Sequence, residues 1–480
     1  MTDHPPFCLL LNPQFTYTEG SIYRELTHHD PPLGLARLAS VLIEAGFPCE
    51  LYDLNTELRK GQSLKSFLRK WKEEHQVEAP LIGIPTVTTF FRNACELAAA
   101  AREIFPKAVI IAGGPHATVL PGDVLRQAAF DFAVIGEGER TLLELTSGQQ
   151  KEQIHGIAFR DESSGEIIIT PPRERASNLD VFPMPAYHLL RMDSYRPVLG
   201  SYKSLPAANM VSSRGCPGRC TFCCRTFGNL LSFHSAGRVV DEIEMLVRNF
   251  GIRQINFYDD AFTLKKERLL DICDQLIARK LRIDWTCFAR IDQIDAEMLG
   301  RMKKAGCYQI MYGIENFNTD VLKGLQKSIK NTDAATVIRM TRKAGIRCRI
   351  SLLVGSPGDT PESVRENIRR ACQLNPDILI VNITTPFPGT DLFDRALKED
   401  RLLTTDWSRY DGQQAVMRID GLSPAEVASA YRKMYRTFYL RPQYIFSQLI
   451  RVRTWLELRI LLSGFAGLVR FWRKGVRKGT

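Results

Sequence analysis

Short apolar runs alternate with amphipathic stretches in two separate blocks of this chain, and no other feature restricts its fold as strongly. Apolar runs of about four to eight residues predict buried strands, and apolar residues at a spacing of about 3.6 predict helices. Strands that alternate with helices form parallel sheets, because a parallel connection must cross from one end of the sheet to the other. The sequence therefore predicts an α/β protein.

The first block, residues 1–150, predicts a doubly wound, Rossmann-like parallel sheet. Helices are expected over 33–45, before Gly46, and over 89–104. Ligands bind such sheets beyond the carboxyl ends of the strands. Glycine-rich loops stand at two of these ends, and they could hold a ligand or serve only as tight turns. The GxGxxG fingerprint is absent, which disfavours a dinucleotide. The strands are predicted at 7–11, 49–52, 81–84, 109–112 and 132–135.

The second block, residues 206–420, predicts six strand–helix units, as in a partial TIM-type barrel. Residues 151–205 are predicted to be a connector that contains a hairpin around Ser163-Ser164-Gly165 and several prolines. The barrel strands are expected at 207–211, 252–258, 283–288, 308–312, 348–354 and 378–383, with helices that include 239–249, 266–279 and 332–344.

Three cysteines, Cys216, Cys220 and Cys223, follow the first barrel strand with the spacing C-x3-C-x2-C. Closely spaced thiolates on one loop can bind one inorganic centre. A structural zinc site normally needs four protein ligands, and no second C-x2-C pair exists. A redox dithiol would leave Cys216 unexplained. Three thiolates would leave one iron of a four-iron cluster open to a small molecule, while Cys224 leaves the register of the third ligand ambiguous.

The other cysteines are scattered and are expected to be small core residues. The amino-terminal residues do not resemble a secretory signal, and no apolar window of about 18 residues is free of charge. Free thiols are therefore expected, in a reducing cytoplasm.

Taken in order, the motifs resemble those of the cobalamin-dependent radical S-adenosylmethionine (SAM) family. Within that family, the chain resembles the group that contains the anaerobic magnesium-protoporphyrin monomethyl ester cyclase and the class B methylases of lipids and tetrapyrroles. The resemblance rests on Pro31-Pro32-Leu33-Gly34-Leu35, on the GGPHAT and GEGE loops, and on the cysteine motif with Phe222 before its third cysteine. It implies a cobalamin-binding domain, a radical SAM barrel and a helical C-terminal region, with a [4Fe-4S] cluster, SAM and cobalamin as cofactors.

The resemblance assigns two loops of the first block to cobalamin. Other cobalamin modules that supply a histidine to cobalt carry Asp-x-His-x-x-Gly after the first strand, whereas this chain has Asn12-Pro13-Gln14-Phe15-Thr16-Tyr17 there. The resemblance therefore implies a cobalamin without a histidine lower ligand. His116 is interpreted as lining the site, or as part of a surface turn. The cobalamin-binding residues are expected to be Gly113, Gly114, His116, Gly136, Glu137 and Gly138.

SAM contacts are implied at the carboxyl ends of the barrel strands. Asp259 or Asp260 would meet the SAM amino group, in place of the Gly-Gly-Glu that the family often has. Arg290 would meet the carboxylate, and Glu315 the ribose or the amino group. Backbone at Gly355 and Pro388 would meet the adenine. Local roles remain open as alternatives, namely an N-cap for Asp260 and ion pairs for Arg290 and Glu315.

The family implies that the reduced cluster splits SAM into methionine and a 5′-deoxyadenosyl radical, which abstracts hydrogen from an unactivated carbon. Methylcobalamin would then supply a methyl group to a small-molecule or lipid-like substrate, and flavodoxin or ferredoxin would supply electrons. A cyclase or rearranging enzyme with both cofactors remains an alternative, as does a radical SAM enzyme that has lost cobalamin. A non-catalytic iron–sulfur protein for electron transfer or sensing is the alternative of another class.

Basic charge is concentrated in residues 421–480. The whole chain has a net charge of +11, and its last 60 residues contain 12 basic and 2 acidic side chains. A helical wheel of this region places four arginines beside a broad apolar arc, which suits a membrane surface, a large apolar or anionic substrate, or packing on the barrel. Nucleic acid is disfavoured, since no recognisable binding fold is present. The arginines are Arg459, Arg470, Arg473 and Arg477, and the arc contains Trp455, Leu458, Leu462, Phe465, Val469 and Trp472.

Overall fold

The computed structural model describes residues 5–16, 29–58, 61–127, 129–260, 262–327, 334–452 and 455–476. The chain divides into two units. The first consists of the residues up to Thr16, of Pro31–Ser194 and of Arg225–Gly228. The second contains Tyr195–Cys224 and the chain from Asn229 onward. Each unit is built on a largely parallel sheet with helices, which confirms the predicted α/β class.

The first unit has a seven-stranded sheet with the order β2-β1-β3-β4-β5-β6-β7. Strands β1 to β5 are parallel, and their 2-1-3-4-5 order is that of a doubly wound sheet, whose ligand crevice lies at the switch between β1 and β3. The hairpin predicted within the connector pairs antiparallel with β5 and so continues this sheet. The strands are β1 Cys8–Asn12, β2 Cys49–Asp53, β3 Leu81–Pro85, β4 Val109–Gly113, β5 Phe132–Val134, β6 Ile157–Arg160 and β7 Ile167–Ile169.

Helices cover this sheet because their apolar faces are buried against its apolar strands. All five residues of β1 are buried, as expected for a parallel strand covered on both sides. The second predicted helix buries Ala94, Leu97 and Ala101 at helical spacing. The helices are α1 Leu33–Glu44, α2 Leu54–Glu57, α3 Leu64–His75, α4 Phe91–Ile104, α5 Pro115–Val119, α6 Pro121–Arg126 and α7 Glu139–Thr146, with 3-10 turns at Thr88–Phe90, Lys151–Gln153, Leu179–Val181 and Tyr187–Leu189.

The second unit has six parallel strands in chain order, which curl into the predicted half-barrel. Because all six run in the same direction, their carboxyl ends share one edge of the sheet. A short antiparallel pair, β9 with β10, stands beside it. The strands are β8 Ala207–Met210, β9 Ser213–Arg214, β10 Ser232–Phe233, β11 Gln254–Phe257, β12 Asp284–Ala289, β13 Cys307–Glu315, β14 Arg347–Val354 and β15 Ile378–Ile383.

Helices of the second unit alternate with its strands. The first of them ends at Gly251, whose φ of +63° closes the last turn. The helices are α8 Ala236–Phe250, α9 Lys266–Ala278, α10 Ala296–Lys304, α11 Thr319–Gly324, α12 Ala334–Lys343, α13 Pro361–Leu374, α14 Asp391–Lys398, α15 Pro424–Tyr439, α16 Pro442–Arg451 and α17 Trp455–Val476, with 3-10 turns at Ile291–Gln293 and Trp407–Arg409.

Helix α15 closes the open edge of the half-barrel at β15. The Val381 N–H donates to the Tyr435 hydroxyl, which donates back to the Val381 carbonyl, and both distances are 3.0 Å. Tyr439 makes the same pair of bonds with Leu379, at 3.1 and 2.8 Å. Tyrosine hydroxyls thus replace a neighbouring strand along this edge. In the part of the chain that the structure describes, no helix is long and apolar enough to cross a membrane.

Candidate functional site

The cysteine loop is held at both ends and in its middle. Strand β9 precedes the loop and pairs with β10 beyond it, so the chain leaves and returns at one place. Between Cys220 and Phe222, the Thr221 N–H donates to the Leu325 carbonyl at 3.0 Å, and the Thr221 carbonyl accepts from the Leu392 N–H at 2.9 Å. The ends of α11 and α14 therefore fix the backbone from which the sulfur atoms extend.

Phe222 anchors the same loop through its side chain. It packs against Val321, Leu325 and Leu353 on one side, and against Leu392 with its neighbours on the other. Its ring thus fills the space between the helix ends that hold Thr221. The aromatic residue before the third cysteine is a support of the loop in this structure.

The three predicted cluster cysteines influence one another electrostatically. Cys216 and Cys220 are half-buried, while Cys223 is exposed over part of its surface. Burial is the first cause that raises the pKa of Cys220; Glu315 and Cys216 raise it further, whereas Lys327 and Arg290 oppose the increase. Neighbouring protein atoms desolvate the Cys223 thiol and, with the charge of Asp260 and the other two thiols, raise its pKa to about 12. Each thiol is therefore within electrostatic range of the others.

The cysteine loop does not form a site for a single metal ion. Among the described residues, no three His, Cys, Asp or Glu side chains come together closely enough to bind one. All twelve cysteines lie in the described part of the chain, and none forms a disulfide. The thiols of the motif are thus available as ligands.

Asp259 fixes the backbone that leads into the cysteine loop. It is fully buried, and its carboxylate accepts from the Ser212 N–H at 2.6 Å, from the Ser212 hydroxyl at 2.5 Å and from the Ser213 hydroxyl at 2.8 Å. Burial raises its pKa, and the hydrogen bonds from Ser212 oppose that increase. The structure therefore separates the two aspartates, because Asp259 supports the backbone before the cysteines while Asp260 acts on Cys223.

Arg290 extends from the end of β12 toward the thiols. A Cβ built on Gly218 would lie 3.4 Å from the Cys216 sulfur and 3.7 Å from an Arg290 terminal nitrogen, so both groups lie beside this glycine. Arg290 also forms a two-point ion pair with Asp292, at 2.9 and 3.1 Å. The ion pair considered from the sequence is present, and it aims the guanidinium at the cysteine loop.

Glu315 is held by a buried lysine that sequence reasoning missed. Lys327 Nζ lies 2.5 Å from Glu315 Oε1, and the Ser351 hydroxyl donates to Oε2 at 3.1 Å. A Cβ on Gly313 would come within 2.8 Å of both charged groups, so a side chain there would displace the ion pair. Glu315 has a φ of +64° at a bulge in β13, a strained conformation of the kind found at functional sites.

No pattern around Lys327 distinguishes it in the sequence. It follows α11 rather than a strand, and a lone lysine is normally exposed. Only the return of the chain after α11 places its amine beside Glu315 and near Cys220. Pairing Glu315 with each lysine of the adjoining strand–helix unit would have included Lys327. The sequence does not show which of those lysines is buried.

The loop after β14 is organised by Asp359. This fully buried carboxylate accepts from the N–H groups of Gly355 and Ser356, both at 3.0 Å, and from the Asn316 amide at 3.0 Å. Gly355 has a φ of +79°, and a Cβ there would meet Val427 of α15 at 2.7 Å. Pro388 is buried in the turn after β15. Both predicted adenine contacts thus lie at the carboxyl ends of their strands.

In the first unit, the loop after β4 is built around Thr86. Gly114 has a φ of +99°, and a Cβ there would lie 3.0 Å from the Thr86 carbonyl. His116 is fully buried rather than part of a surface turn. Its ring stacks on Phe91 at 4.0 Å, and its two nitrogens lie 3.2 Å from the Thr88 hydroxyl and 3.3 Å from Asp123. Its role in this structure is to hold the glycine loop in place.

The loop after β5 leaves open space beside the sheet. Gly136 has a φ of +82° with no atom within 4 Å of the Cβ position, and the nearest atom to such a position on Gly113 is 4.0 Å away. Glu137 is buried and accepts from the Ala176 N–H at 3.0 Å, so it fixes the loop. Gly138 begins α7. Adjacent strand ends with so little side-chain bulk fit a large, flat ligand such as a corrinoid.

Comparison with known proteins identifies the families to which the two units are similar. The Radical SAM superfamily matches residues 210–371, and the B12 binding domain matches residues 23–146. An uncharacterised methyltransferase of Pyrococcus horikoshii is 32% identical over 435 residues, which cover 89% of this chain and 92% of that protein. The anaerobic magnesium-protoporphyrin IX monomethyl ester cyclase of Cereibacter sphaeroides is 28% identical, with 86% of this chain and 67% of that protein covered.

A solved structure shares the whole fold. The cobalamin-dependent SAM radical enzyme OxsB, with aqua-cobalamin and SAM bound, superposes with a TM-score of 0.72 at 17% identity. The match covers 97% of this chain and 72% of that one. Both the doubly wound sheet and the half-barrel described above are therefore shared with that structure.

Proposed function

Because this chain belongs to the family of radical SAM enzymes that carry a B12 binding domain, we propose that it transfers a methyl group to an unactivated carbon of a small molecule. The observation that carries the proposal is the group of three thiols in the half-barrel, with Arg290 and Lys327 close enough to act on Cys220. When bound, the cluster and SAM supply a one-electron cleavage, and cobalamin supplies the methyl group. The residues of the chain hold and orient these groups.

Cys216, Cys220 and Cys223 hold three irons of a [4Fe-4S] cluster. The pinned loop supports this assignment, since Thr221 and Phe222 fix its backbone between the second and third ligands. Cys224 follows the last ligand and is half-buried. The positive charges of Arg290 and Lys327 stabilise the added negative charge of three thiolates.

The SAM site extends along the carboxyl ends of the barrel strands. Asp260 accepts from the SAM amino group, since Asp259 is already occupied by Ser212 and Ser213. Arg290 binds the SAM carboxylate, and Glu315 binds the ribose hydroxyls or the amino group while Lys327 holds it. The backbone at Gly355 and Pro388 meets the adenine.

Cobalamin would bind the first unit, held by the glycine-rich loops after β4 and β5. Gly113 and Gly136 leave room for the corrin, while Gly114 and Gly138 form the turns of the same two loops. Glu137 and His116 support these loops. No histidine occurs in the described residues 12–16 after β1. The loop after β1 would therefore supply no histidine to a bound cobalamin.

The substrate is a small molecule of lipid-like or tetrapyrrole-like type, and flavodoxin or ferredoxin supplies electrons. A cytoplasmic location follows from the need for a reducing compartment, which keeps twelve cysteines as thiols. The second candidate is a cyclase or rearranging enzyme that uses both cofactors without methyl transfer, and the cyclase of Cereibacter sphaeroides at 28% identity favours it.

Anaerobic reconstitution with iron, sulfide and hydroxocobalamin tests this function. With a reductant and methyl-labelled SAM, we expect formation of 5′-deoxyadenosine and transfer of the label to the bound cobalamin. Cys216→Ala, Cys220→Ala and Cys223→Ala should each lose the cluster absorbance and both products. Cys224→Ala is the matched control, since it changes the neighbouring thiol and should retain the cluster.

The outcomes separate the alternatives. Formation of 5′-deoxyadenosine without transfer of the label would favour the cyclase or rearranging enzyme. A first unit that binds no hydroxocobalamin would reject the cobalamin assignment. A cluster that is reduced but never cleaves SAM would favour electron transfer or sensing, and full iron content in Cys220→Ala would refute the ligand set.

A further inference from the structure

Helix α16 presents its apolar face away from the body of the second unit. Its buried residue, Tyr444, donates from its hydroxyl to the Asp377 carbonyl at 2.9 Å and so turns that side toward the half-barrel. At about 100° per residue, the exposed apolar side chains fall within an arc of about 140° on the other side. They are Ile445, Phe446, Leu449 and Ile450, and Phe446 and Ile450 are 66% and 65% exposed.

Helix α17 also has exposed apolar side chains. Trp455 is 78% exposed, and Leu462 and Phe465 are exposed on the same side of that helix. Arg459 and Arg470 are also exposed, at wheel positions along one edge of that apolar arc. Arg477 lies outside the described residues, and the side chains of Val469, Trp472 and Arg473 are not described. The docking surface, defined here as the seven exposed apolar residues of α16 and α17, is therefore flanked by basic side chains.

An amphipathic helix normally buries its apolar face, so an outward apolar face needs an occupant. The local charge indicates which one. Residues 421–480 contain 12 basic and only 2 acidic side chains. A second copy of the chain would bring the same positive charge to the contact and would be repelled. A surface that is apolar inside and negative outside complements both properties, and an anionic lipid bilayer is such a surface.

We propose that α16 and α17 bind the surface of a membrane that contains anionic lipids. The apolar side chains enter the boundary between headgroups and acyl chains, and the flanking arginines extend to the lipid phosphates. Helix α15 holds this segment on the half-barrel through Tyr435 and Tyr439. The binding does not depend on the reaction, so it survives if methyl transfer is disproved.

Sedimentation of the full-length chain with vesicles tests the proposal. We expect binding to vesicles of phosphatidylcholine with phosphatidylglycerol, and much weaker binding to phosphatidylcholine alone. Phe446→Gln with Ile450→Gln should lower the partition coefficient by at least about tenfold, because two large side chains lose their burial. Leu397→Gln is the matched control, since Leu397 is 59% exposed on α14, outside the docking surface.

Salt and oligomeric state complete the test. Raising the ionic strength from about 0.1 to 0.5 M should weaken binding, because the arginine–lipid attraction is screened. Iron content and circular dichroism of the double variant should match those of the parent chain. Absence of vesicle binding, or equal binding by the double variant, would overturn the proposal. A parent chain that dimerises without binding vesicles, and a double variant that stays monomeric, would identify a second copy as the occupant.

Discussion

Lys327 carries a buried positive charge at the point where the half-barrel gathers negative groups. Its amine pairs with Glu315 and lowers the pKa of the Cys220 thiol against the effect of burial. A buried ion pair gives little net stability, yet removal of one partner is costly, because the other charge stays buried alone. The pair is therefore best tested by comparing single and double substitutions.

We predict that Lys327→Met destabilises the second unit by about 3–5 kcal/mol, because it leaves the Glu315 carboxylate buried without its partner. Lys327→Met with Glu315→Gln should regain most of that loss, since no unpaired charge remains. The free energy of unfolding in urea measures both changes. In the reconstituted protein, loss of the positive charge should also shift the midpoint potential of the cluster to a more negative value.

Lys323→Met is the control for this comparison. Lys323 lies on α11, four residues before Lys327, and its side chain is 78% exposed in a surface pair with Asp320. Its removal should cost less than about 1 kcal/mol and leave the potential unchanged. Equal losses in Lys327→Met and in the double variant would show that the lysine contributes through packing and not through its charge.

Single residues differ in how far the sequence predicts them. The cysteine motif was recognisable because its spacing is local and its chemistry is rare. The positions of Arg290 and Glu315 followed from strand ends, although the partners of Glu315 did not. His116 illustrates the limit, since the hydroxyl and the carboxylate that contact its ring come from Thr88 and Asp123, and only tertiary structure brings them together.

At the scale of elements, the edge strand β15 is closed by a helix rather than by another strand. Tyr435 and Tyr439 lie one helical turn apart on α15, and they meet Val381 and Leu379, which are two residues apart on the strand. An unpaired strand edge is open to association with other chains. The tyrosines therefore satisfy the backbone of β15 and also attach the C-terminal region.

We predict that Tyr435→Phe and Tyr439→Phe each lower the free energy of unfolding by about 1–3 kcal/mol, because a buried N–H and a buried carbonyl lose their shared partner. Urea unfolding measures the loss. Met434→Leu on the same buried face conserves volume and removes no hydrogen bond, so it should cost less than about 1.5 kcal/mol. Tyrosine variants no less stable than this control would contradict the role of the hydroxyls.

The strands were predicted closely because fully buried parallel strands are continuous apolar runs. Strand β13 is longer than its predicted range, because pairing continues through the bulge at Gly313 and Glu315. Helix α3 gave no clear signal, since it buries only Leu68 and Trp71. The hairpin β6–β7 was expected, but local sequence does not reveal that it joins the first sheet through β5.

At the scale of the whole molecule, the charge of +11 belongs almost entirely to the last 60 residues. The remaining residues together have a net charge close to zero. Individual buried groups therefore decide how the stability of this part of the chain depends on pH. Asp30 is one of them. It belongs to the second unit, where the Tyr258 hydroxyl donates to its carboxylate at 3.0 Å. Burial raises the pKa of Asp30 to about 6, and the bond from Tyr258 opposes that increase.

We predict that Asp30 reduces stability as the pH rises from about 4 to 6. Over that range the unfolded carboxyl, with a pKa near 3.8, is ionised while the folded one remains protonated, so the unfolded state binds fewer protons. The loss should reach roughly 3 kcal/mol above pH 6 and be absent below pH 4. Urea unfolding of the parent chain and of Asp30→Asn between pH 4 and 7.5 measures it.

The Asp30→Asn variant should gain stability relative to the parent chain as the pH rises. Tyr258→Phe should extend the loss of stability to higher pH, because the carboxylate then has no donor from that ring. If the free energies of unfolding of the parent chain and of Asp30→Asn changed in parallel with pH, Asp30 would have the same pKa in the folded and unfolded states, which would contradict the prediction.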